Sequence, residues 1–306
     1  MAGAKGPLAE HGRISLIGVG AVGSALALAL DARGARIVAL ASRHPERAQA
    51  LAATLASRPP VVSPAEALRD ADLVFLAVPD DAISPLAASL PWRAEQAAIH
   101  LSGASGLAAL AAVLERGAQA AALHPLMTFP RSEVPLGASE QLARMSGCVW
   151  ALEASAPALG ETLEKLVGAL SGTVVRLRAE DRVPYHIAAV LASNYVTTLL
   201  AAATSLWEPF ASEPGAALSA LLPLLRASVE SLERVGLPDA LTGPIARGDT
   251  GTIAAHLAWL DAHAAEPGIA DLRAAYLALA RLAIPIAQAK GALTAEEAET
   301  LRRLLG

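Results

Sequence analysis

The chain contains one cysteine, Cys148, in 306 residues. A lone cysteine excludes an internal disulfide and any zinc site built on thiolates, and it fits a reducing cytoplasm. Aromatic residues make up only 3%. Alanine and leucine must therefore fill the core, which favours close-packed helices over an all-β sandwich. No basic cluster is long enough to track a nucleic-acid backbone, and the net charge is −5, so nucleic acid is not an expected partner. No grouping of residues reads as a metal site, and no internal repeat of fixed period occurs. Apolar material is abundant, at 54% against 17% charged residues. That is enough for a large core, and the length suggests two domains.

Ile14–Leu30 is almost wholly apolar and lies behind Lys5 and Arg13, like the core of a signal peptide. Three glycines interrupt it within six residues, and Asp31 and Arg33 follow where a small-residue cleavage site would stand. Its 17 residues are short for a membrane span. The expectation is a cytoplasmic protein that does not enter a membrane, with residues 1–11 as a disordered tail.

Strand-like and helix-like stretches alternate through the first half. Arg13–Ile17, Ile37–Ala41, Leu73–Val78, Ala97–Leu101 and Ala120–Leu123 read as buried strands, with Val61–Val62 as a short extra one. Between them Ala21–Ala32, Pro45–Ala56, Pro64–Leu68 and Leu107–Arg116 read as helical. Cys148–Leu152, Pro157–Leu170 and Thr173–Leu177 extend the pattern once more. This order implies a doubly wound, Rossmann-type parallel sheet. Beyond Asp181 the strand signals stop. Val183–Leu206, Gly215–Val235, Thr250–Ala264, Ile269–Ala289 and Ala295–Leu304 read as helices. The expected domains are 12–180 for the nucleotide and 181–306 for an all-helical substrate and dimerisation domain. Val183–Leu206 is apolar around most of its circumference, which implies burial on more than one side and a homodimer through this domain.

Gly18-Val19-Gly20-Ala21-Val22-Gly23 is a G-x-G-x-x-G between a strand and a helix, the setting that makes the motif meaningful. Gly18 permits the tight turn, Gly20 lets the backbone approach a pyrophosphate, and Gly23 lets the helix pack on the strand. The amides at Ala21 and Val22 open the helix towards the phosphates. Sites for NAD usually carry an acidic residue after the second strand, on the ribose hydroxyls. Here Ala41-Ser42-Arg43-His44 holds no carboxylate. Arg43 offers a planar fork for a 2′-phosphate and Ser42 a hydroxyl, so NADP is the expected cofactor. Val78 and Pro79 follow a third strand and are expected to line the nucleoside. Asp80 or Asp81 is expected to cap a helix near Ile83.

Together these segments resemble a family of bacterial proteins that join a Rossmann-like domain to a helical domain of unknown function. These are distant relatives of pyrroline-5-carboxylate reductase, ketopantoate reductase and the deazaflavin-dependent NADP oxidoreductases. Besides the glycine loop, the matching stretches are His100–Gly103, His124–Phe129, Tyr185-His186 through Ser193-Asn194-Tyr195, and Thr242–Asp249. The resemblance covers nearly the whole chain. It implies an NADP-linked reductase-like fold of the 6-phosphogluconate-dehydrogenase type, dimeric, and it supplies no substrate.

The reacting end rests on the residues themselves. Ser102 and His124 end strand candidates at the carboxyl edge. Ser102 can hydrogen-bond a carboxamide or a substrate carbonyl, and His124, with a reference pKa near neutral, can act as a general acid. His124 reads equally well as a structural histidine before Pro125. His186, Val190 and Asn194 fall at i, i+4 and i+8, on one helix face. Related hydroxyacid dehydrogenases often carry a lysine four residues before this asparagine. Val190 stands there instead, which argues against lysine-based acid catalysis. Asn194 remains a polar anchor for a carbonyl or carboxylate, with His186 beside it for substrate. In so apolar a helix a buried Asn194 would need a partner. Arg247 can hold an anionic group, and Asp249 or Thr250 caps the next helix. His256 and His263 read as helix-surface residues. The function these residues imply is hydride transfer between NADP and a C=O or C=N bond of a small substrate in an interdomain cleft. An NADP-binding sensor without turnover is the alternative.

Overall fold

The fold was obtained as a computed structural model. It describes Leu8 and residues 12–129, 137–213 and 215–306. Apart from Leu8, the expected tail lies outside the described residues. Leu8 itself is buried and donates its amide to the Arg33 carbonyl at 3.3 Å.

The chain alternates β1 (Arg13–Ile17), α1 (Ala21–Ala32), β2 (Arg36–Ala41), α2 (Pro45–Thr54), α3 (Pro64–Ala67), β3 (Leu73–Leu76), α4 (Asp80–Ser89) and β4 (Ala97–His100). Then come α5 (Ala111–Glu115), β5 (Gln119–Pro125), α6 (Ala138–Met145), β6 (Val149–Ala154), α7 (Pro157–Ala169) and β7 (Thr173–Arg176). The seven strands form one sheet in the order β2-β1-β3-β4-β5-β6-β7. All pairs are parallel except β5–β6, which is antiparallel. Both faces are covered. Ile14, Leu16, Phe75, Ile99, Ala121, Leu123 and Trp150 pack with α1, α2, α6 and α7. Ile17, Val74, Leu76, Ala98 and Ala120 pack with α3, α4 and α5. The apolar run Ile14–Leu30 is therefore the first strand and helix of this sheet.

Differences from the sequence reading are local. The strand expected to reach Val78 stops at Leu76. Val61 makes only an isolated bridge to Leu40. Helix α4 begins at Asp80 behind Pro79, with no capping side chain, so Asp80 and Asp81 sit inside its first turn. There they favour the positive end of the helix dipole and cap nothing.

By internal contacts the chain divides into residues 1–193 and 194–306. The last helix of the first unit, α8 (Arg182–Ala192), and the first of the second, α9 (Asn194–Trp207), were expected as one helix. They are separated at Ser193, whose φ of −128° and ψ of −70° leave the helical region. The contact division thus falls thirteen residues beyond the expected boundary at residue 180, because α8 is tied to the sheet. The second unit continues with α10 (Ala216–Val235), α11 (Thr250–Ala262), α12 (Ile269–Ala289) and α13 (Ala295–Leu305). Ile253, Leu257, Ile284, Leu301 and Leu305 form its core. Asp249 caps α11 as expected, accepting from the Thr252 amide at 3.0 Å.

Residues 179–210 are long and apolar enough to cross a membrane, and none of that apolar window is buried. Ile187, Leu191, Tyr195, Leu199 and Trp207 are exposed on it, as are Leu224, Val229 and Leu232 on α10.

Candidate active site at the carboxyl edge of the sheet

Strand β1 lies at the point where the chain, having built β2 on one side, crosses to build β3 on the other. In open α/β sheets ligands lie beyond the strand ends at such a switch. The glycine loop occupies that position. Gly18 has φ +104°, and a Cβ there would stand 2.2 Å from the Ala77 carbonyl oxygen. A Cβ on Gly23 would stand 2.2 Å from the Gly18 carbonyl oxygen. Both glycines are required by the protein's own packing. Gly20 differs: a Cβ there meets nothing within 4 Å. Gly20 is also the N-cap of the 12-residue α1, and no side chain caps that end. The first-turn amides, from Ala21 and Val22 onward, thus open onto free space beside the one loop glycine that the fold does not need. This is the cradle a pyrophosphate fits.

At the end of β2, Ser42 accepts a hydrogen bond from the His44 amide at 3.0 Å, and Arg43 is exposed. Among the described residues Arg43 forms no ion pair. Val78 borders the loop, 3.2 Å from where a Gly18 Cβ would be, and exposed Pro79 precedes α4.

The reacting end grows out of strand alternation. On one sheet face β4 presents Ala98 and then His100, and β5 presents Ala120, Ala122 and then His124. The same two-residue step that buries alanine in the middle of the sheet delivers an imidazole at its edge. His100 is buried. Its Nδ1 accepts the Ser102 amide at 3.2 Å, and its Nε2 lies 3.2 Å from the Gly106 carbonyl oxygen. An amide can only donate and a carbonyl only accept, so His100 is the neutral Nε2–H tautomer. Burial pushes its pKa down to about 4. His100 thereby clamps the turn 101–106. Within that turn the Ser102 hydroxyl oxygen accepts from the Ala104 amide at 3.2 Å and the Ser105 amide at 2.9 Å. Only its proton remains to offer a ligand.

His124 is half-buried, with Nδ1 2.7 Å from the Tyr185 hydroxyl. Burial, then the neighbouring His186 and Arg182, lower its pKa to about 4. The near-neutral value expected from the sequence does not hold here, and His124 is uncharged at pH 7. Tyr185, also half-buried, is pushed up to about 12. The His186 ring lies edge-on to His124, centroids 6.5 Å apart, and its buried Nδ1 has no hydrogen-bond partner among the described residues. Gly103 lies between them: a Cβ there would stand 2.9 Å from both His124 Nε2 and His186 Nδ1. Only glycine lets two imidazoles meet at this turn.

Tyr185 and His186 are held by a residue the sequence did not single out. Arg182, 2% exposed, opens α8 and reaches Glu153 of β6. Its Nε donates to Glu153 Oε2 at 3.2 Å, and Nη1 to the Ser102 carbonyl at 3.4 Å. Nη2 is 3.2 Å from the same carboxylate oxygen but off the hydrogen-bonding direction, so it adds charge attraction only.

Asn194 and Arg247 belong to the second unit. Asn194 is exposed and begins α9, so the buried asparagine expected from the sequence is not found. The break at Ser193 also ends the continuous face on which His186, Val190 and Asn194 were expected. Arg247 is exposed, with its amide bonded to the Gly243 and Pro244 carbonyls.

Residues 13–105 match the family of coenzyme F420-dependent NADP oxidoreductases, and residues 148–283 match a domain of unknown function, DUF2520. No curated protein matches the sequence. A candidate NADP oxidoreductase from Bacteroides fragilis shares 26% identity over 90% of this chain and 98% of its own, with a TM-score of 0.70. A Thermotoga maritima protein, TM1727, shares 20% over 90% of this chain and 99% of its own, with a TM-score of 0.67. A 1-pyrroline-5-carboxylate reductase from Streptococcus pyogenes shares 17% over 95% and 98%, with a TM-score of 0.58, and so shares the fold. The chain shares the fold of these three proteins. The glycine loop and the first four strands thus match one family model, and the stretch from β6 into α12 matches another.

Proposed function

We propose that the protein is an NADP-dependent oxidoreductase that moves a hydride between the nicotinamide and a C=O or C=N bond of a small substrate. The observation that carries this reading is the loop at Gly18, Gly20 and Gly23. Two of its glycines serve the fold, and the third leaves an open, uncapped helix end for phosphates. Bound NADPH supplies the hydride. The chain's own part is to hold the pyrophosphate on the α1 amides and the 2′-phosphate with Arg43 and Ser42, with Val78 and Pro79 against the nucleoside. His124 handles the proton at the reacting end, and Ser102 and His186 contact the substrate beside it. Asn194 and Arg247 of the second unit are further substrate contacts in this proposal.

Titration with NADPH and NADH tests the cofactor. NADPH should bind more tightly, and Arg43→Ala should erase the difference. Loss of one charge-assisted contact costs about 1.5–3 kcal/mol, or roughly 10- to 150-fold in affinity. Equal affinity for the two cofactors in the parent would refute the assignment. Tight NADPH binding with no turnover across oxo-acids, imines and deazaflavins would favour a sensor instead.

We further propose a cytoplasmic homodimer formed through the helical unit, supported by the exposed leucines and valines of α9 and α10. Gel filtration should give a particle of twice 31.1 kDa. A monomer at micromolar concentration, or partition into detergent, would count against it.

A further inference from the structure

We propose that Tyr185 fixes His124 as a neutral Nε2–H donor, and that the site therefore takes a carbonyl compound in preference to an iminium ion. The inference rests on the oxidoreductase reading above and concerns which of its two bond types the site is built for.

The tautomer follows from the 2.7 Å contact between His124 Nδ1 and the Tyr185 hydroxyl. A phenol is a good donor and a poor acceptor, whereas an unprotonated imidazole nitrogen is a strong acceptor. No other hydrogen-bond acceptor for the half-buried Tyr185 hydroxyl occurs among the described residues. The hydroxyl therefore donates to Nδ1, and the ring proton lies on Nε2. That nitrogen abuts Gly103, within the turn clamped by His100.

The charges around it agree. His186 and Arg182 oppose a positive charge on His124, and Asp80 favours one. Arg182 is already paired with Glu153. Such surroundings suit an oxygen that accepts a hydrogen bond and gathers negative charge in the transition state. A neutral imidazole can polarise a carbonyl in this way without ever becoming an imidazolium. An iminium ion is itself an N–H donor and a cation. It would set donor against donor and add a charge where His186 and Arg182 disfavour one.

The proton account closes. As the carbonyl carbon gains the hydride, its π electron pair moves to oxygen and oxygen takes the Nε2 proton. The Tyr185 proton passes to Nδ1 as Nε2 gives up its own; Nδ1 then returns that proton to the tyrosinate while water protonates Nε2, releasing hydroxide to solvent and restoring the starting tautomer. An alkoxide is a stronger base than a tyrosinate, so the transfer runs downhill.

The test uses the full chain labelled with ¹⁵N at histidine. Long-range ¹H–¹⁵N spectra are recorded between pH 6 and 8 with and without NADPH, and His124 is assigned through His124→Gln. The expected result is a neutral Nε2–H ring that does not titrate in this range, and in Tyr185→Phe a mixture of tautomers with NADPH affinity unchanged within twofold. NADPH oxidation is then followed with cyclohexanone, hexanal and 1-pyrroline as probes. Carbonyl probes should be favoured at least tenfold over 1-pyrroline, and Tyr185→Phe should lower kcat with little change in KM. An Nδ1–H or protonated His124, or a preference for 1-pyrroline, overturns the proposal while NADPH still binds. Failure to bind NADPH instead overturns the oxidoreductase reading on which it rests.

Discussion

Replacing Arg182 by methionine probes the part of the site that sequence spacing conceals. The Arg182 side chain is 2% exposed and its partner Glu153 is 12% exposed, so both charges are largely out of water. Removing the guanidinium leaves a carboxylate beside Gly106 with no cation, and breaking a buried pair in this way costs about 3–5 kcal/mol. In a unit of this size each kcal/mol moves the melting temperature by about 2–4 °C, so the shift should be on the order of 10 °C. Thermal unfolding of the full chain at pH 7.5, followed by circular dichroism, measures it. The double variant Arg182→Met/Glu153→Leu should recover most of the loss, because two apolar side chains leave no charge stranded. A single-variant shift below about 2 °C would refute the reasoning, since such values belong to exposed pairs. A double variant no better than the single would refute it as well.

The loop glycines should separate fold from ligand. Gly18→Ala and Gly23→Ala drive a Cβ into backbone oxygen and should lower the melting temperature by several degrees, whereas Gly20→Ala should leave it unchanged and weaken NADPH binding in a fluorescence titration. Gly103→Ala should keep NADPH affinity but reduce turnover at least tenfold by pushing His124 and His186 apart; unchanged turnover would mean the two rings do no chemistry together. His100 and His124 have folded pKa values near 4, below the unfolded 6.5. The unfolded chain therefore binds more protons between those values, and stability, complete above pH 6.5, should fall with acidification by up to about 1.4 kcal/mol per pH unit per histidine. Urea midpoints at pH 7 and pH 5 measure this, and His124→Gln should flatten the slope.

What could be read from the sequence follows from how local each requirement is. Gly18 and Gly23 serve contacts made within one strand–turn–helix unit, so their spacing identifies them. The Asp249 cap is equally local. The reversal of β6 was not readable, because an apolar strand such as Val149–Leu152 carries no sign of its direction. The break at Ser193 was hidden too: after Pro184 in the first turn of α8 no glycine or proline occurs as far as Leu206, and the helical propensity on either side of Ser193 is continuous. Arg182 meets Glu153 across 29 positions and two chain reversals, and Tyr185 meets His124 across 61. No periodicity encodes such pairs. Val190, read as a missing lysine, lies further along α8 than Arg182 and Tyr185, which reach Glu153 and His124 from its first turn.

The alternation that carries β5 from Ala120 and Ala122 to His124 has a consequence for how this scaffold changes over time. One step of two residues, about 7 Å along the strand, separates a fully buried alanine from a half-buried imidazole at the sheet edge. A mutation at the outer position leaves packing intact, and a mutation at the inner one leaves chemistry intact until the sheet fails. Selection can therefore exchange the imidazole for another polar side chain, and with it the chemistry proposed for this edge, without renegotiating the core that holds the strand in place.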